Sequence, residues 1–260
     1  MSARSATPGV RPLGSDPTSV QSVALLRLLS LSLSPPTPET AIEVEALAGA
    51  LAAHPGAPPE LEELRAAAES TPAEELVAAH ERLFDGDVAV PPYEGSYELD
   101  PFRQTRQMAD VAGFYRAFGA EVGGPASERA DHAGTELEFL AFLGLRRIEA
   151  ADAGRDDEAT RCSEIEASFL TEHAGRWLPV FFAGLADRAP DSFHHALGRI
   201  GGRVVAAELE ARGLEVDFVP ADRRPLTAVE VDEMECGAAD LTDPLGLIEP
   251  HAAKRRRPRG

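Results

Sequence analysis

Apolar residues along this chain recur mostly at helical spacing, in blocks that proline or glycine interrupts. From about Ser19 to Ser34 the block Val23-Ala-Leu-Leu-Arg27-Leu-Leu-Ser-Leu-Ser-Leu33 predicts a helix stopped by Pro35-Pro36. Thr37 or Thr40 can cap a second helix, with Ile42, Val44, Leu47, Ala48 and Leu51 on its apolar stripe. His54-Pro55-Gly56-Ala-Pro58-Pro59 breaks it, and short helices follow from Glu60 to Glu69 and from Pro72 to Phe84. Phe84 to Asp100 reads as a loop. A helix from about Pro101 to Ala120 carries Met108, Val111, Ala112, Tyr115 and Phe118 on one stripe. After the glycine-rich break Gly119–Ser127, a helix from about Asp131 to Ala150 is apolar nearly all round (Leu137, Phe139, Leu140, Phe142, Leu143, Leu145) and should be central. Asp156 to His173, Trp177 to Ala186 and Ser192 to Arg212 complete the helical set. Val216 to Val219 is the nearest approach to a strand.

These blocks predict an all-α fold, a bundle of roughly nine to eleven helices. Residues 20–212 form its body, in halves of about 20–120 and 128–212 joined by a hinge at 119–131. Residues 1–19, rich in Pro, Gly, Ser and Thr, read as a disordered leader. Residues 213–260 read as a loosely ordered acidic tail with a basic end. The early leucine-rich run has the look of a signal-peptide core, but Arg27 interrupts it and it is too short to span a bilayer. It is read as the first core helix, with no stable membrane insertion.

Charge narrows the function classes. The formal net charge is −19, from 44 acidic and 25 basic residues, and five of the basic ones lie in the stretch Lys254–Gly260. A body this acidic repels phosphates and suits cationic partners, so no nucleic-acid partner is expected. The basic end is read as a solubilising tail. Two cysteines, Cys162 and Cys236, are too few for a disulfide scaffold and fit a reducing, cytoplasmic compartment.

Candidate chemistry gathers at two places. Glu128-Arg-Ala-Asp131-His132-Ala-Gly-Thr-Glu136 opens the central helix, and His132 and Glu136 share a helix face. Three readings are open for it: an N-cap with first-turn acids and ion pairs, a binding surface, or a metal or acid/base site. Pro92-Tyr93-Glu94-Gly95-Ser96-Tyr97-Glu98 pairs aromatic faces with carboxylates, which suits a guanidinium guest or a loop packed on the core. Trp177 reads as core, and His173, His194 and His195 as ordinary helix residues. Dinucleotide and P-loop glycine motifs, the zinc-protease helix motif and the nucleophile elbow are all missing.

Four segments, in order, carry a resemblance. They are Leu76–Phe84 with Pro92-Tyr93-Glu94-Gly95-Ser96-Tyr97, Met108-Ala-Asp-Val-Ala-Gly-Phe114-Tyr115-Arg-Ala-Phe118-Gly119, Glu128-Arg-Ala-Asp131-His132 with Glu136-Leu-Glu138-Phe139, and Phe169-Leu-Thr-Glu-His173 with Trp177-Leu-Pro179-Val-Phe181. Together they resemble the TorD/DmsD/NarJ family of molybdoenzyme assembly chaperones. Ala130 stands where the family often has proline, and Gly95 departs from its pattern.

The resemblance implies a non-enzymatic, all-helical cytoplasmic chaperone without cofactors. Its partners would be the signal peptide, often twin-arginine, and the apo-form of a molybdoenzyme catalytic subunit, held until cofactor insertion is complete. It implies a monomer or domain-swapped dimer. It assigns peptide binding to the Asp131–His132 hinge. With the residues around it, the expected peptide-binding set is Tyr93, Glu94, Tyr97, Tyr115, Glu128, Asp131, His132 and Glu136. The rivals are a small metal-dependent enzyme using Asp131, His132 and Glu136, with His173 as a further ligand, and an accessory subunit of the oxidoreductase.

Overall fold

In the computed structural model, residues 19–84, 90–120 and 129–220 are described. Helix α1 (Val20–Ser32) is capped by Ser19, whose side chain accepts from the Ser22 N–H. Leucines at 25, 26, 28, 29 and 31 are buried on all sides of it, so α1 is a core helix, as its composition predicts. Helix α2 (Pro38–Ala52) starts on a reciprocal capping box between Thr37 and Thr40, with proline at the first turn. Its buried positions Val44, Ala48 and Leu51 follow helical spacing, while Ile42, expected on that stripe, faces out at 69% exposure.

Helices α3 (Pro59–Ser70) and α4 (Ala73–Phe84) follow, and α3 packs on α2. A 3-10 turn over Glu94–Tyr97 replaces part of the expected loop, and α5 (Pro101–Ala117) is capped by Asp100. On α5, Val111 and Tyr115 are buried and Met108 is 36% exposed. Helix α6 (Ala133–Asp152) buries most of its length, although Leu145 faces out.

The sequence predicts a break between His173 and Trp177. The chain instead runs as one continuous helical rod from α7 (Asp156–Phe169) through a π turn (Leu170–Ala174) into α8 (Gly175–Arg188). The π turn fixes what residue 175 can be: a Cβ on Gly175 would sit 2.4 Å from the Leu170 carbonyl oxygen. Helix α9 (Phe193–Arg212) is capped by Ser192 and closed by Gly213 in the left-handed conformation, φ 63°.

The closest helix pairs are α8 with α9, α1 with α6 and α6 with α7. Because α1 also meets α9 and α3 lies on α9, the two expected halves share one core, centred on Trp177, Phe169, Phe181 and Phe182. The fold is all-α: nine α-helices and no β-strand among the described residues, and none of those helices is long and apolar enough to cross a membrane. Of the expected tail, residues 214–220 lie against the body, where the Val219 N–H donates to the Arg176 carbonyl at 2.9 Å. Of the expected leader 1–19, residues 1–18 fall outside the described residues, as do residues 221–260 and most of the hinge.

Candidate functional site

The two motif segments meet. The Glu94 N–H donates to the Asp131 carbonyl at 2.9 Å, and the Ala133 N–H to the Pro92 carbonyl at 2.8 Å, an isolated antiparallel bridge between Tyr93 and His132. This crossing seats the 3-10 turn against the start of α6. The cap of α6 is His132, not Asp131: its Nδ1 accepts from the Gly134 N–H at 3.1 Å. The Asp131 carboxylate is drawn elsewhere. It accepts from the Gly95 N–H at 3.1 Å and takes both Nε and Nη2 of Arg129 at 2.9 Å. The same guanidinium lies 4.7 Å from the centre of the Tyr93 ring, whose edge meets His132.

Beneath the crossing lies a buried polar network. The Trp177 indole N–H donates to Glu136 at 3.0 Å, and the second carboxylate oxygen of Glu136 has no partner. Burial, reinforced by Glu94, drives the Glu136 carboxyl well above its ordinary range. Glu94 contacts His173 Nδ1 at 3.0 Å and accepts from Gln107 at 3.3 Å, and burial raises its carboxyl too, against the pull of His173. The Tyr115 hydroxyl donates to the Ala130 carbonyl at 2.8 Å and the Tyr97 hydroxyl to that of Pro91 at 3.2 Å. Burial raises both phenols. Burial lowers the His132 imidazole to about 4, although Asp131 opposes the shift.

The structure therefore brings together seven of the eight expected residues. Tyr93 is half-buried; Glu94, Tyr97, Tyr115, Asp131, His132 and Glu136 are interior. Glu128 lies outside the described residues. Trp177 is core, as expected, and also donates to Glu136, while His173, expected as an ordinary helix residue or a further ligand of the rival metal site, contacts Glu94. Their signal was present in the Phe169–Phe181 segment, at a separation of four residues.

The metal-enzyme rival built on Asp131, His132 and Glu136 is overturned. Each of the three is committed to a different partner, and their ligand atoms do not gather. Among the described residues, the His/Cys/Asp/Glu group close enough to share an ion is Asp110, Glu172 and His173.

Two hollows flank the crossing. One, of about 140 Å³, is lined by Pro35, Pro36, Val77, His80, Glu81, Phe84, Pro92, Tyr93 and His132. A narrower apolar slot shares Pro36 and His80 with it and runs between Leu31, Val44, Leu76 and Phe193. On the other side of the turn a cleft of about 390 Å³ is lined by residues of α5, the π turn and Asp217.

Over the described residues the chain is an all-helical body with a buried motif network and open hollows beside it. Its fold matches a crystal structure described as a redox enzyme maturation protein from Archaeoglobus fulgidus, with a TM-score of 0.51 and 18% identity over 71% of this chain and 93% of that one. The model of the nitrate reductase delta subunit family matches residues 54–183, and the chain belongs to that family. The selenate reductase assembly chaperone protein of Thauera selenatis is 35% identical over 139 residues, 54% of this chain and 69% of that one. The perchlorate reductase assembly chaperone protein of Dechloromonas aromatica (strain RCB) is 27% identical over 147 residues, 55% of this chain and 64% of the relative. The chlorate reductase assembly chaperone protein of Ideonella dechloratans is 36% identical over 74 residues, 28% of this chain and 37% of the relative. These relatives are chaperones rather than catalysts, and the chain is not an enzyme.

Proposed function

We propose that the chain is a cytoplasmic assembly chaperone for the catalytic subunit of a molybdenum-dependent reductase. It binds that subunit's apo-form through its N-terminal signal peptide and releases it once cofactor insertion is complete. The observation that carries this reading is the hollow beside the Tyr93–His132 crossing. Its walls mix apolar side chains (Pro35, Pro36, Val77, Phe84, Pro92) with polar ones, Glu81 supplies a negative charge, and the apolar slot continues it. A signal peptide offers the complement, a cationic head followed by an apolar stretch. The chemistry for a guanidinium already stands at the crossing, where Arg129 is held between the Tyr93 ring and the Asp131 carboxylate. A client arginine competes for that place.

Tyr93 and His132 touch the peptide in this scheme, and Asp131 holds the guanidinium. Glu94, Tyr97, Tyr115 and Glu136 fix the floor beneath them. Glu128, which precedes Arg129 in the chain, completes the proposed peptide-binding set. The chaperone needs no cofactor and acts as a monomer or swapped dimer.

Calorimetric titration with a twin-arginine signal peptide, and with the same peptide carrying Arg→Ala, tests it. Binding should depend on the arginines, weaken as salt rises, and fall at least tenfold in Tyr93→Ala and in Asp131→Asn. Absence of heat, or equal heat from the Arg→Ala peptide, sinks the proposal.

A further inference from the structure

The cleft between α5 and the π turn has chemistry that peptide holding does not use. His173 is buried, with its side chain 3% exposed. Its Nδ1 is fixed by the Glu94 carboxylate at 3.0 Å, while its Nε2 is buried and makes no hydrogen bond. That nitrogen lies 3.6 Å from Asp110 Oδ2. One ligand atom from each of Asp110, Glu172 and His173 can be chosen so that all lie within 4.8 Å of one another. Both carboxylates are exposed.

We propose that Asp110, Glu172 and His173 form a binding site for a divalent transition-metal ion of the zinc class. A carboxylate bonded to one imidazole nitrogen, with the other aimed at a ligand position, is the usual outer-shell arrangement of a metal-bound histidine. Glu94 supplies that carboxylate. It selects the tautomer with the proton on Nδ1 and leaves the Nε2 lone pair for the ion.

Distances decide whether the three can close. Four-coordinate zinc with bonds of about 2.0–2.1 Å sets neighbouring ligand atoms about 3.4 Å apart. The histidine–aspartate pair is nearly there. The remaining gap, from a spacing within 4.8 Å, is at most about 1.4 Å, which exposed side chains cross by rotation. A water from the cleft takes the fourth position.

Arg103, Arg106 and Arg176 also line the cleft, and two of them have contacts away from the three ligands. Arg103 lies beside Glu98 and Asp100, and Arg176 donates to the Asp217 carbonyl. The backbone supports the same reading. Glu172 and His173 sit on the π turn, a wide turn that recurs at functional sites and that here admits only glycine at position 175. Ion binding would pin α5 to the rod formed by α7 and α8. It is a tether, with no reaction assigned to it.

The test uses the full chain, untagged and freed of metal with chelator, titrated with Zn²⁺ and separately with Mg²⁺. One equivalent of Zn²⁺ should bind, raising the melting temperature, while Mg²⁺, which prefers all-oxygen sites, should not. Asp110→Asn and Glu172→Gln change exposed groups and leave the fold intact. Each should weaken Zn²⁺ binding at least tenfold, and His173→Ala should abolish it. Absence of saturable one-equivalent binding, or full affinity in either carboxylate variant, overturns the proposal. Signal-peptide titration is a separate readout, so failure here leaves the chaperone proposal standing.

Discussion

Glu136 is fully buried, yet only one of its two carboxylate oxygens is satisfied. Its charge is therefore costly, while its role as acceptor for Trp177 is useful. Glu136→Gln keeps the acceptor and the shape, and unfolding in urea should show a stability change within about 1 kcal/mol. Glu136→Ala leaves the indole N–H unpaired beside a cavity and should cost about 3 kcal/mol in the same measurement. His132 gives the pH counterpart. Burial holds its imidazole down to about 4, so the folded chain resists a proton that the unfolded chain takes up near pH 6.5. The stability contributed by the neutral ring is complete above about pH 6.5 and is lost as pH falls through 4, by up to about 3 kcal/mol. His132→Asn can still cap α6 but does not titrate. The stability difference between parent and variant should thus move against the parent from pH 7.5 to pH 4, and urea unfolding across that range reads it directly.

At the scale of elements, α8 and α9 approach until side chains are excluded. A Cβ on Gly198 would stand 2.6 Å from both the Phe182 carbonyl oxygen and the Ala186 nitrogen. Backbone cannot yield as a flexible side chain does, so Gly198→Ala should destabilise by at least about 2 kcal/mol. Calorimetric melting should record a fall of several degrees, since each kcal/mol corresponds to about 2–4 °C for a chain of this size.

The helices themselves were legible because their faces repeat locally and their ends carry Ser, Thr, Pro or Gly. The Thr37–Thr40 capping box and the Gly213 terminus are cases in point. The rod through Leu170–Ala174 was not. Pro179 and Gly175 look like breakers, yet both lie in α8, and only packing shows the chain reaching them through the wide turn over Leu170–Ala174.

Across the whole molecule, the motif segments were visible in sequence but their bonding was not. Periodicity reports which face of a helix is apolar. It carries nothing about pairs such as Glu94 and His173, 79 residues apart. The exchange of roles between Asp131 and His132 at the cap of α6 was hidden for the same reason: a short polar side chain caps a helix only when no better partner is near. Arg129 and Gly95 are that better partner here.

The antiparallel crossing at Tyr93 and His132 has one more consequence. It closes a loop that contains α5, a helix on which Gln104, Val111 and Tyr115 are buried, whereas α6 buries eleven residues. Freeing α5 would uncover Val111, Tyr115 and the Phe139 and Phe169 rings that Phe114 and Tyr115 pack on, less than freeing α6 would. The crossing works like a drawstring: while it holds, α5 can swing out only as a flap with both ends anchored. A peptide that pulls on Tyr93 and His132 pulls on that knot. Under the proposed function, loading at this crossing would in this way be felt by α5.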